Sequence, residues 1–253
     1  MSAVIRHIYR YPVKGLSAEA MQATVLEAER SVTGDRRFAL ALAATRFDGQ
    51  APEWQNKRSF ITLLNHQKLA ALGTLFDDAS NELTVLRNGK QVARGKLCDP
   101  VGRAMIEDFF AAYMGTDTPG KPSIADAGSG INFTDQKRKL VSIINLASIR
   151  DLQRTVGNDI DPVRFRANIY IDGLDPWSEF DWVGEDLAIG QARLAVVERI
   201  GRCGAINVNP ENGARDENLV KALQRGFGHT DMGIFVTITQ GGDAQAGDPI
   251  GPA

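Results

Sequence analysis

Apolar and polar residues alternate in short runs over most of the chain, a period of two that predicts half-buried strands. In the first hundred residues these runs are VIRHIYRYPV, ATVLEAE, RRFALALA and ELTVLRNGKQVARG, the last broken at Asn88-Gly89, a two-residue hairpin signal. The period then changes. Asp99 and Pro100 supply an N-cap and a first helical position, and Val101, Met105, Ile106, Phe109, Phe110 and Tyr113 follow at helical spacing until Gly115. Residues 116–130 are dense in Gly, Pro, Ser and Asp with no apolar period and read as a linker. Beyond them come LVSIIN, a helix from 146 to 156 closed by Gly157, the strand NIYIDGL, the pair LAIGQARLAVVERI turning at Gly190-Gln191, a helix starting at Asp216, and the strand GIFVTIT. The third helix is expected to bury Leu219, Val220 and Leu223. Short, turn-punctuated strands with few helices predict a mainly β, α+β fold built of barrels rather than a doubly wound parallel sheet. The linker divides the chain into domains at 1–120 and 121–253.

Composition narrows the classes. With 253 residues, 43% hydrophobic and 24% charged, the chain is that of an ordinary globular protein, and a net charge of −2 excludes a broad basic field for nucleic acid. Arginines interrupt the apolar residues of the N-terminus before a signal-peptide core forms, and no run approaches the roughly 18 apolar residues of a membrane span. A cytoplasmic protein with no membrane partner is expected, which keeps Cys98 and Cys203 reduced. Two cysteines and three scattered histidines offer no zinc or iron–sulfur ligand set. The nucleotide-binding glycine motifs and the G-x-S-x-G elbow are missing too.

Two segments of the second half carry candidate chemistry. RFRAN at 164–168 sets two arginines just before a strand, and IGRCGAINVNPENGARD sets Arg202 against Cys203 between glycines. Arginines at a strand edge can be plain solvated surface, and a lone cysteine a small buried hydrophobe. A thiol beside a guanidinium, in backbone bared by glycine, is also where a reactive thiolate forms and a large ligand can approach. For Cys98, just before the helix cap, a small hydrophobe is an adequate reading.

These segments resemble the MOSC domain, named for molybdenum-cofactor sulfurases, across 133–250. The most specific stretch comprises Arg202, Cys203, Asn207, Val208, Pro210, Gly213 and Asp216. YPVKG at 11–15 and GDRRFAL at 34–40 resemble the β-barrel domain that precedes MOSC in molybdenum-dependent amidoxime-reducing proteins and their bacterial relatives. Gly15 stands where relatives often carry Ser, and Ala167 where they often carry Pro. The resemblance implies an N-terminal MOSC-associated β-barrel followed by a MOSC barrel, with the cofactor cleft between them. It implies the molybdenum cofactor (molybdopterin), with Cys203 as metal ligand and catalytic centre and Lys14, Arg36, Arg166, Asn168 and Arg202 as cofactor-binding residues.

The activity implied is an oxidoreductase that reduces small N-hydroxylated or related N–O and S–O compounds. Electrons then come from a separate ferredoxin or reductase, since two cysteines cannot hold a cluster. The alternative is a carrier of molybdenum cofactor, or of sulfur on Cys203, without turnover of its own.

Overall fold

The computed structural model describes residues 3–47, 52–128 and 130–253. In chain order the strands are β1 (Ala3–Arg10), β2 (Glu19–Met21), β3 (Ala23–Leu26), β4 (Phe38–Ala41), β5 (Leu72–Asp77), β6 (Glu82–Arg87), β7 (Lys90–Lys96) and β8 (Ser123–Asp126). They continue as β9 (Val141–Asn145), β10 (Ile169–Asp172), β11 (Asp186–Ile189), β12 (Ala192–Gly201), β13 (Asp231–Gln240), β14 (Gly242–Gln245) and β15 (Pro249–Pro252). The helices are α1 (Pro100–Met114), α2 (Leu146–Val156) and α3 (Leu219–Phe227). The fold is mainly β, in the α+β class.

One ring closes among the described residues. Its order is β10-β9-β13-β12-β11-β15-β1, and β1 pairs back onto β10, so seven strands form a barrel with β2 appended to β1. Alternate side chains point inward and fill it: Ile5, Ile143, Ile171, Leu194, Val236 and Ile250 belong to one buried cluster. The stave that completes the ring comes from the far end of the sequence, with Ala3 opposite Ile250 and Ile5 opposite Ile171. The pairings therefore cross the boundary expected at 120.

The rest of the first half packs against this barrel. β5, β6 and β7 form an antiparallel sheet whose β6–β7 turn is Asn88-Gly89, both at positive φ as the hairpin signal requires. β4 pairs with β8, which lies inside the stretch expected to be a linker. That stretch is ordered because Ile124 and Ala125 are buried, a pattern two residues long and too short to read as a period. Ser129 of the expected linker lies outside the described residues.

The first two helices follow their sequence signals. The Asp99 carboxylate accepts from Gly102 N at 2.9 Å and Gly115 ends α1, while Gly157 ends α2 at φ 77°. Within α1 the buried stripe is Gly102, Ile106, Phe110 and Met114, whereas Val101 and Met105 are exposed. The third helix starts later than expected. Asn218 caps it, because Asp216 is engaged by the Arg164 guanidinium at 2.8 and 2.9 Å.

Candidate functional site

Four tight turns bring the site together. Lys14 follows Tyr11-Pro12-Val13, and its N–H donates to Phe38 O at 2.8 Å. The next residue, Gly15, sits at φ +84°, where an added Cβ would lie 3.2 Å from Ile61 O. Arg36 and Arg166 both occupy left-handed backbone, at φ 49° and 53°, a conformation uncommon for residues other than glycine and concentrated at functional sites. Arg166 ends the one-turn helix Pro162–Phe165, and Cys203 leads into another, Gly204–Asn207, as β12 ends. β12 itself shifts register against β13 between Val196 and Glu198 and again between Arg199 and Gly201. Such bulges re-aim a strand end, here toward Cys203.

All six candidate residues line one cavity of about 480 Å³: Lys14, Arg36, Arg166, Asn168, Arg202 and Cys203. Both halves of the chain contribute to it. The six differ in what their polar atoms already do.

Arg166 is the least committed. Its Nη2 is buried with no hydrogen-bond partner, and no ion pair reaches it among the described residues. Burial, with Arg36 adding to it, pulls its pKa down to about 10. Arg36 donates to Asp35 Oδ2 at 2.5 Å and to Arg166 O at 2.8 Å. Both guanidiniums lie 4.2 Å from the centroid of the Tyr11 ring, whose face carries partial negative charge. Tyr11 is fully buried, which raises its phenol to about 12, and its hydroxyl donates to Ala167 O at 3.3 Å.

Lys14 is already paired. Its Nζ donates to Phe133 O at 2.8 Å and to Asp135 Oδ1 at 2.6 Å. Burial lowers the Lys14 pKa against the pull of Asp135. Burial also pushes the Asp135 carboxyl up, but Lys14 and Lys57 outweigh that and hold it below the usual carboxylate range.

Asn168 and Arg202 are ties within the fold. The Asn168 oxygen accepts from Ser142 N and Oγ, and its amide donates to Tyr9 O, joining β1 to the start of β9. Arg202 donates to Met232 O from Nε and Nη2 and to Phe165 O from Nη1, so it fixes the end of β12 beside the arginine loop. Burial brings its pKa to about 10. Cys203 is half-buried, and both cysteines are free.

Some residues at the site were not among the candidates. Asp135 stands in the polar run TDQKRK, and Tyr11 reads from sequence as a strand residue. Arg164 shares the arginine motif but was not a candidate. Cys98 is exposed rather than a buried hydrophobe. Arg37 Nη2 donates to its sulfur at 3.4 Å, and burial followed by Asp126 raises its thiol pKa. Among the described residues no three His, Cys, Asp or Glu side chains are grouped to hold a metal ion, and no helix is long and apolar enough to cross a membrane.

Residues 129–251 match the family model of the MOSC domain. The chain carries a MOSC domain. Within a 98-residue stretch it is 36% identical to a molybdenum cofactor sulfurase of Caenorhabditis briggsae, covering 37% of this chain and 14% of that protein. It is also 25% identical over 120 residues to human mitochondrial amidoxime-reducing component 1, covering 43% of this chain and 35% of that protein. The matches thus span about a seventh and about a third of those two relatives. Among solved structures the YuaD protein from Bacillus subtilis aligns over 99% of this chain and 94% of its own, with 13% identity and a TM-score of 0.47. The MOSC match takes in Arg164, Arg166, Asn168, Arg202 and Cys203, and leaves Lys14 and Arg36 to the preceding segment.

Proposed function

We propose that this MOSC protein binds the molybdenum cofactor in the cleft, with the Cys203 thiolate on the metal, and acts as an oxidoreductase on small N–O or S–O compounds. The observation that carries the reading is the buried, unpartnered guanidinium nitrogen of Arg166, a residue that lines the same cavity as Cys203. A buried cation with no ion pair among the described residues calls for an anionic ligand, and guanidinium suits a phosphate. A single thiolate with no grouped companion ligands among the described residues fits a metal that arrives already chelated, and its softness suits a sulfur-bound metal. When bound, the cofactor supplies a metal that changes oxidation state as oxygen is taken from the substrate.

The chain's own residues hold and orient. Arg166 and Arg36 meet the anionic end, stacked on Tyr11, and Arg202 fixes the loop from which Cys203 projects. Lys14, with its charge met by Asp135, contributes position more than free charge. Electrons come from a ferredoxin or reductase centre outside these 253 residues, because their two cysteines cannot ligate a cluster. The likeness to proteins named molybdenum cofactor sulfurase favours a second reading, a carrier of cofactor or of sulfur on Cys203.

The test is to purify the protein from a host that makes molybdenum cofactor and measure bound molybdenum and pterin. Turnover of an N-hydroxylated compound is then followed with an artificial one-electron donor. Near-stoichiometric metal with turnover is the expected result. Metal without turnover supports the carrier, and absence of both metal and pterin overturns the cofactor reading.

A further inference from the structure

Arg215 stands in the loop that begins at Cys203 and is exposed, yet its guanidinium bridges two distant segments. Its Nη1 donates to Gly204 O at 2.7 Å, within its own loop. Its Nη2 donates to Leu64 O at 2.6 Å and more loosely to Leu63 O at 3.5 Å, and its Nε donates to Gln67 Oε1 at 2.7 Å. Those three acceptors belong to the first half of the chain. Gly213 adds a close backbone approach, since at φ +76° a Cβ there would lie 2.8 Å from Gln67 O. The Cys203 loop is thus fastened to residues 63–67 largely through one planar fork, whose N–H groups can serve separated acceptors at once.

What the fork holds bears on the thiol. Leu63 and Leu64 are half-buried and belong to no strand or helix, and both line the cleft together with Cys203 and Ala205. Leu64 Cδ1 lies 3.5 Å from the position that a Cβ would take on Gly204, so this leucine rests against the residue next to the thiol. A wall without regular structure keeps its place only as well as the contacts that hold it. We infer that Arg215 is a positioning residue: it pins the Leu63–Leu64 segment beside Cys203, and the leucine wall limits by size what reaches the thiol. Compounds with a small or slim apolar body pass, and those carrying fused rings do not. As a statement about access to the thiol, this holds or fails whether or not Cys203 carries a metal; as substrate selection, it rests on the function proposed above.

The test uses the full chain carrying Cys98→Ser and prepared without molybdenum cofactor, so that Cys203 is the sole thiol and is free. Alkylation by N-ethylmaleimide and by N-pyrenylmaleimide is followed well below the melting temperature, and each rate is divided by that of the same reagent with glutathione. The quotient of the two measures size selection. With Arg215 in place the pyrenyl reagent should be disfavoured about tenfold or more. Arg215→Met keeps the aliphatic stem but removes the fork, and should raise the pyrenyl rate about tenfold while leaving the ethyl rate nearly unchanged. Leu64→Ala should do the same with the fork intact, and the double variant should add nothing, because both changes act through one wall. Undiminished selection in Arg215→Met overturns the proposal, as does an equal rise with both reagents, which marks a loosened Cys203 loop, or an absence of selection in the parent protein. If Arg215→Met does not fold, Leu64→Ala decides: undiminished selection there shows that the wall does not govern access. None of these rates depends on bound metal, so their failure leaves the cofactor reading to its own test.

Discussion

Lys14 and Arg166 line one cavity, yet Asp135 meets Lys14 at 2.6 Å and, among the described residues, no carboxylate pairs with Arg166. Their substitutions should therefore behave oppositely. Lys14→Met strands Asp135 with only Lys57, and since Asp135 is 49% exposed the loss is discounted to about 1–2 kcal/mol of apoprotein stability. Arg166→Asn keeps a residue that tolerates left-handed backbone and removes an unpaired buried donor. Its apoprotein should melt at or above the wild-type temperature while cofactor retention falls, which calorimetry and metal analysis can check together. For the thiols, Cys203→Ser should abolish molybdenum-dependent turnover and Cys98→Ser should not, because a hard, protonated hydroxyl replaces a soft thiolate poorly. Retained activity in a Cys203→Ser protein whose wild type is active removes Cys203 from the metal. Most of the cavity was legible in sequence: Cys203, Arg166 and Arg202 stand in motifs, and their loops converge. The Lys14–Asp135 pair was not, since the partners are 121 residues apart and Asp135 sits among polar residues with no period.

The elements follow local rules where local chemistry decides them. The ends of α1 and α2 were readable because a capping side chain or a left-handed glycine marks each one. The start of α3 was not, because its nearest capping candidate, Asp216, is claimed by a residue 52 positions away. Away from the cleft, where α2 meets the one-turn helix Ser178–Trp182, Glu179 is fully buried with no ion pair among the described residues. Ser148 Oγ donates to its carboxylate at 2.8 Å and Asn145 Nδ2 at 3.2 Å, yet burial outweighs these bonds and raises its pKa above 4.5. The fold thus favours the protonated acid. Its contribution to stability is complete below the unfolded value and is lost as pH rises through the folded one. Melting temperatures recorded from pH 4.5 up to neutrality should fall in wild type relative to Glu179→Gln, which has no carboxyl there to ionise. Parallel profiles for the two proteins would contradict this.

For the molecule as a whole, strand content and barrel class were legible, but the way the ring closes was not. Nothing in the period of VIRHIYRYPV says that its partners are β10 and β15 rather than the strands that follow it. A fragment of residues 121–253 lacks that stave, so β10 and β15 become open edges and the pocket for Ile5 and Ile8 is left empty. It should give a poorly dispersed amide spectrum and aggregate. Rejoining residues 3–10 to the C-terminal strand through a short glycine-rich turn should restore dispersion, because Ala3 already lies opposite Ile250. A well-folded 121–253 fragment would show that the stave is dispensable.

That closure also sets an order of events during synthesis. The segment that completes the ring leaves the ribosome long before its partner on one side, around Ile250. Until then β1 has unsatisfied backbone along one edge and can do no more than dock on β2 and, later, β10. Final assembly of the ring therefore waits until β15 has emerged, and contacts so distant in sequence make it slow. The nascent protein passes through a long interval with an exposed strand edge, the state most open to chaperone capture or to pairing with another copy.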